Sequence, residues 1–228
     1  MSYHCRVVTP NASRRRGTAS LGRSNGSVSP AEVREAALTL FAERGYHGTS
    51  MKDIAAVLGI RAPSLYNHLE SKQALLQDII LETMESIIRE QDAVLATSDD
   101  VTEQLRRIME AHARFHTRHS REVRINNSQF PHLEEPAQTR VRELRRCYAR
   151  PWISLIERGV AEGRFETPSP RLSAYAMLQM GIGVSLWFRA NGPLSESQVA
   201  YYYGDMALRL VHARPAAHAS ASSSGCDQ

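Results

Sequence analysis

From about residue 29 to about residue 213, apolar residues recur along the chain at three- and four-residue intervals, the spacing of a buried helix face. Val33, Ala36, Ala37, Leu40 and Phe41 form a first such face. Ser29 stands before it as N-cap, with Pro30 at the first helical position and Glu32 three residues after the cap, the arrangement of a capping box. Gly45 and Gly48 stop that helix, and Ser50 with Asp53 opens a second one whose inner face is Met51, Ile54, Ala55 and Leu58. Gly59 ends the second helix in a position suited to left-handed backbone, and Ile60 plugs the corner. A third segment, residues 62–69, turns Leu65 and Leu69 inward, and Ser71 caps a long fourth helix carrying Leu75, Leu76, Ile79, Ile80, Met84, Ile87 and Ile88.

Beyond the break at Thr97-Ser98-Asp99-Asp100 the pattern predicts helices over 101–119, 121–127 and 135–162, with a loop from Pro131 to Pro136. Pro151 is the expected place for a bend in the long helix, and Gly163 closes it. Two last helices, over 170–190 and 195–213, are apolar on more than one face and need cover on two sides. Residues 1–27 and 214–228 have no apolar period and are expected to be disordered, the first as a basic tail.

Two short helices parted by a glycine corner have helix-turn-helix spacing, which presents the third segment to a DNA groove. The small, hydroxyl, amide and imidazole groups on its outer side suit base edges and phosphates. The residues Gly45-Tyr46-His47-Gly48-Thr49-Ser50-Met51, Asp53-Ile54-Ala55, Leu58-Gly59-Ile60, Ser64-Leu65-Tyr66-Asn67-His68 and Ser71-Lys72 resemble the DNA-binding head of TetR-family transcriptional regulators over about 45 residues without a gap. Two departures, Leu69 where an aromatic is usual and the opening Arg61-Ala62-Pro63, bear on operator sequence.

The resemblance implies an all-α protein. Residues 28–73 form a three-helix helix-turn-helix DNA-binding head, and residues 74–213 form a helical ligand-binding and dimerisation body that pairs as a homodimer through its last two helices. The expected partners are a palindromic double-stranded operator and a small-molecule effector. In the head, Thr49, Ser50, Lys52, Tyr66, His68 and Lys72 are expected on phosphates; Arg61, Pro63, Ser64 and Asn67, with the small Ala62, are expected to face base edges. Gly181 and Gly183 are read as permitting close approach between helices, and Trp187, Tyr201, Tyr202, Met206 and Leu210 as interface side chains.

Composition limits the alternatives. With 42% hydrophobic residues the chain can bury a large core, and no apolar run approaches the ~18 residues of a membrane span. The N-terminus lacks a continuous apolar signal region, so a cytoplasmic location is expected. Cys5, Cys147 and Cys226 are widely spaced and suggest neither a disulfide framework nor a zinc site. The net charge of +4 does not identify a DNA binder, because Arg6, Arg14, Arg15, Arg16 and Arg23 precede the first acidic residue and the rest is near neutral. No nucleophile elbow, phosphate loop, dinucleotide fingerprint or His-Glu-x-x-His occurs, so no catalytic residues and no cofactor are assigned.

The body also resembles, more loosely, a TetR subgroup that includes acyl-CoA-responsive regulators of lipid and sterol breakdown, through segments such as Arg114-Phe115-His116-Thr117-Arg118-His119, Arg145-Arg146-Cys147-Tyr148 and Trp187-Phe188-Arg189. The resemblance implies an acyl-CoA effector. Ile108, His112, Phe115, Trp152, Met177, Met180, Val184 and Trp187 are candidates to line an apolar cavity, and Arg121, Arg124 and Arg145 to hold phosphates. Packing alone explains Met and aromatic stripes at helical spacing, and exposed arginines are commonly solvated. His112, His116 and His119 share one helical face as a metal site requires, yet hydrogen-bonded, partly buried histidines explain them more simply, and no metal is assigned. A metal-responsive regulator and a ligand-independent DNA binder with a solid body stand as alternatives.

Overall fold

The computed structural model describes residues 28–214. Among the described residues the chain is helical without strands: α1 (Pro30–Arg44), α2 (Met51–Val57), α3 (Ala62–Leu65), α4 (Lys72–Leu95), α5 (Val101–Arg118), α6 (Ser120–Gln129), a 3-10 turn (Phe130–His132), α7 (Glu135–Ala161), α8 (Pro170–Trp187) and α9 (Glu196–Leu210). The tails expected at 1–27 and 214–228 lie, apart from Arg214, outside these residues.

Local chemistry sets most helix ends. Ser29 with Glu32, Ser50 with Asp53 and Ser195 with Gln198 form complete capping boxes, and Ser71, Asp100 and Ser169 cap α4, α5 and α8 with their side chains. Gly59, at φ 66°, ends α2: its own N–H donates to the Ala56 carbonyl while that of Ile60 reaches the Ala55 carbonyl, the paired bonds of a Schellman turn. The next segment therefore leaves at a steep angle. Its α-helix is only four residues long, and Tyr66, Asn67 and His68 continue it with bonds to carbonyls three residues back, so the eight-residue helix expected over 62–69 is half α-helix and half tighter turn. Helix α7 runs through Pro151 unbroken. Helix α8 stops three residues before the expected end, because Phe188 takes an extended conformation.

One apolar core runs from the head, through Leu38, Phe41, Ile54 and Leu65, along Leu76, Ile79 and Ile80 of α4, into a body centred on Leu105, Ile108, Met109, Trp152 and Ile156. Helix α5 is the axle of the body and packs on α4, α7, α8 and, most extensively, α9. Head and body are joined covalently by α4 and, without a covalent bond, by α6 lying on α1. The guanidinium of Arg121 on α6 pairs with Glu35 at 2.7 Å and donates to the Thr39 hydroxyl at 3.0 Å. Nearby, the Tyr46 hydroxyl donates to Gln73, whose amide donates to the His132 carbonyl. Among the described residues no helix is long and apolar enough to cross a membrane.

Candidate functional site

In the head, the outer surface of α3 and the start of α2 present Ser50, Lys52, Arg61, Pro63, Ser64, Tyr66 and Asn67 as exposed residues, with Ala62 and His68 half-buried beside them. Arg61 sits at the N-cap of α3 without using its side chain there. Neither Arg61 nor Lys52 makes an ion pair or side-chain hydrogen bond among the described residues, so both cations are available to a polyanion. Thr49 and Lys72 are committed elsewhere. Thr49 is buried, and its hydroxyl donates to the carbonyls of Leu40 and Gly45. The Lys72 ammonium donates to the Tyr46 and Thr49 carbonyls, each at 2.9 Å, and lies 4.1 Å from the Tyr46 ring centroid. The glycine turn between α1 and α2 leaves the Gly45, Tyr46 and Thr49 carbonyls outside any helix, and these two side chains supply donors to them. Both side chains thereby brace the surface that carries the other residues.

In the body, a cavity of about 250 Å³ opens between α4, α5, α6, α7 and α8. Met84, Ile87, Phe115, Val123, Leu178 and Ile182 give it apolar walls, and His112, His116, Asn126, Arg145 and Tyr148 add polar groups. His112 is pinned. Its Nε2 lies 3.0 Å from the Leu178 carbonyl, which only accepts, so Nε2 carries the proton; Nδ1 then accepts from the Tyr148 hydroxyl at 2.6 Å. Burial lowers the His112 pKa to about 4, against an opposing effect of the Leu178 carbonyl, and burial likewise raises that of Tyr148 well above the usual phenol value. Gly181 makes room for this ring, since a Cβ there would stand 2.0 Å from His112 Cδ2. Gly181 therefore faces its own core, not a second chain.

Arg145 is half-buried at the cavity wall. It donates to the backbone carbonyl and side-chain oxygen of Asn126 and lies 4.4 Å from the Phe130 ring centroid. Among the described residues no carboxylate pairs with it, and its desolvation disfavours the charged form. A guanidinium in that state is ready for an anionic group.

Comparison with known proteins separates head from body. The description "Bacterial regulatory proteins, tetR family" matches residues 33–79, and "Tetracyclin repressor-like, C-terminal domain" matches residues 98–211. The chain belongs to the TetR family. As a TetR-family chain it is a DNA-binding transcriptional regulator and not an enzyme. A curated relative, the HTH-type transcriptional repressor KstR2 of Mycolicibacterium smegmatis, is 28% identical over 179 residues, which span 75% of this chain and 85% of the relative. A TetR-family regulatory protein from Rhodococcus RHA1 superposes with a TM-score of 0.77 at 26% identity, covering 83% of this chain and 100% of that one. AibR, in complex with isovaleryl coenzyme A and operator DNA, superposes with a TM-score of 0.72 at 25% identity, covering 81% of this chain and 99% of that one.

Of the body residues singled out from the TetR-family sequence, the fold brings only His112, Phe115 and Arg145 to the cavity. Trp152 is fully buried and donates its indole N–H to Gln91 at 2.7 Å. Met177 and Val184 are core, Met180 packs against the core, and Ile108 borders only a void of about 10 Å³ beneath the cavity. Arg124 and Trp187 are exposed, and Arg121 is spent on α1. For the buried residues the reason is common: period and residue type mark the inward face of a helix, and most inward positions meet other side chains. His116, Asn126 and Tyr148 were not assigned as ligand contacts. His116 and Tyr148 carry a legible signal, since both are polar groups on apolar faces. The three histidines do not converge on a metal: His112 is occupied, and His119 lies 3.6 Å from Glu122 and 4.4 Å, centroid to centroid, from Phe115. No group of three such ligands occurs among the described residues.

Proposed function

We propose that this TetR-family protein is a repressor that holds a palindromic operator as a homodimer and releases it when an acyl-CoA thioester enters the body. The observation that carries the effector reading is the half-buried Arg145, without a carboxylate partner among the described residues, at the wall of a mainly apolar cavity. An acyl group matches the apolar walls, and the anionic carrier matches the guanidinium. The names of KstR2 and of the AibR complex support repression and a coenzyme A ester. Arg61, Pro63, Ser64 and Asn67 face base edges in this reading, and Ser50, Lys52, Tyr66 and His68 contact phosphates.

Dimerisation is read from the outer side of α8 and α9, where Leu172, Leu186, Trp187, Tyr201, Tyr202, Met206 and Leu210 are all exposed. Such an apolar patch is characteristic of an interaction face, and a second copy would cover it with the same helices. The test is operator binding at fixed salt with and without acyl-CoA esters, the matching free acids and divalent metals. Release by an ester alone supports the reading, and Arg145→Ala should then raise the ester concentration needed by about tenfold or more. Release by the free acid or by a metal refutes it.

A further inference from the structure

His116 has a feature that packing does not explain. It lines the cavity and is 4% exposed, yet among the described residues neither ring nitrogen has a hydrogen-bond partner. Imidazole needs one acceptor for its N–H and offers one lone pair, so burial without either is unfavourable unless something else provides them. Among the described residues its neighbours are engaged elsewhere and do not. The His112 ring, 4.3 Å away centroid to centroid, already has both nitrogens engaged. The Tyr148 hydroxyl donates to His112, the Thr83 hydroxyl donates to the Ile79 carbonyl, and the Asn126 side-chain oxygen accepts from Arg145.

We infer that His116 is a specificity-determining residue for an effector whose buried portion carries a neutral oxygen, a hydroxyl or an oxo group, and that the site discriminates against a plain hydrocarbon portion of the same size. The inference rests on the cavity being the effector site and narrows the class of ligand it takes. A neutral oxygen is specified because the ring is held uncharged at neutral pH, by burial first and then by the nearby His112 and His119. The cation suited to an anionic group is Arg145, which is less deeply buried than His116. A wall built to hydrogen-bond its ligand rejects the analogue lacking that group more strongly than an apolar wall rejects an extra one.

The experiment uses the full-length protein and calorimetric titration with cyclohexanecarboxyl-CoA and its 4-hydroxy and 4-oxo derivatives. The native protein should bind at least one oxygenated ester about tenfold or more tighter than the hydrocarbon ester, and His116→Phe should abolish or reverse that preference. Equal binding by the native protein, or a preference that survives in His116→Phe, overturns the inference. If no coenzyme A ester binds, the acyl-CoA reading fails by itself, and the comparison is repeated with cyclohexanol and cyclohexanone against methylcyclohexane, where the same two outcomes decide. Ligand-free stability gives an independent readout. His116→Phe and His116→Leu remove an unsatisfied buried group, and at least one should raise Tm by a few degrees. A lower Tm in both would mean that the imidazole carries no net penalty in the free protein and would overturn the inference.

Discussion

Replacing Gly181 by alanine is expected to destabilise the protein sharply although it adds a single methyl group to a helix. The new Cβ would stand 2.0 Å from His112 Cδ2 and 2.4 Å from Nε2, well inside contact distance. His112 is not a flexible neighbour: it is bonded to Tyr148 on one side and Leu178 on the other. To make room it must give up at least one bond in a buried setting, costing about 1–3 kcal/mol, in addition to about 1–3 kcal/mol of overpacking strain. The gain in helix propensity, about 1 kcal/mol, offsets only part. A net loss of about 1–5 kcal/mol in a chain of this size lowers Tm by roughly 2–20 °C. Gly183→Ala is the internal control, since a Cβ there meets nothing within 4 Å and should leave the monomer fold unchanged or slightly more stable. Thermal unfolding of both variants at several protein concentrations decides the matter. A Tm within about 1 °C of the native value for Gly181→Ala would refute the assignment of the glycine to the His112 pocket, and a loss appearing only as weakened association would return it to a dimer interface.

Arg121→Ala should change stability by less than about 1 kcal/mol, because its pair with Glu35 is substantially exposed, yet it should reduce the fold-change in operator affinity that effector produces; an unaltered fold-change would remove α6 from the coupling. Arg61→Ala should cost about 1–3 kcal/mol on the true operator and relax one base position, whereas Lys52→Ala should lower the salt slope by about one unit and leave base preference intact; the reverse pattern in salt titrations would exchange their roles. Lys72→Ala should act chiefly on head stability by stranding the Thr49 carbonyl and leaving the Tyr46 carbonyl with the Thr49 N–H alone, which amide hydrogen exchange over residues 45–50 would register. His112, neutral when folded with a pKa of about 4 against 6.5 as the ordinary value, contributes stability that is present above pH 6.5 and is lost as pH falls toward 4, because the unfolded chain then binds the extra proton. His116 acts in the same direction. Urea midpoints should fall from pH 7 to pH 5, less steeply in His116→Phe; a flat profile would contradict the buried neutral state.

The head was legible because its determinants are local. Ser29 and Glu32, Ser50 and Asp53, and Gly59 with Ile60 act over three to five residues, and the structure joins these same atoms. The bracing bonds of Thr49 and Lys72 were not legible, because their partners are backbone carbonyls that only the folded turn brings to them. In the body, apolar spacing located the inner faces of α5, α7 and α8 but could not say which inward residues meet a wall and which meet a void. Trp152 and Met177 meet walls, while Tyr148, on the same helix as Trp152, meets the void. That distinction depends on five helices at once, and no window along one of them contains it.

Helix α6 spans just ten residues, yet Val123 and Asn126 face the cavity while Arg121 holds α1. From Arg121 to Asn126 is five residues, roughly 7–8 Å of helix rise, so the cavity wall and the contact with the head lie less than two helical turns apart. A change in ligand preference made on α6 is therefore expected to alter DNA affinity as well. The wall supplied by α8, through Tyr175, Leu178, Gln179 and Ile182, packs on α5, α6, α7 and α9 and carries no such pairing with the head. Divergence toward new effectors has its open ground on α8, while α6 is held in place by two tasks at once.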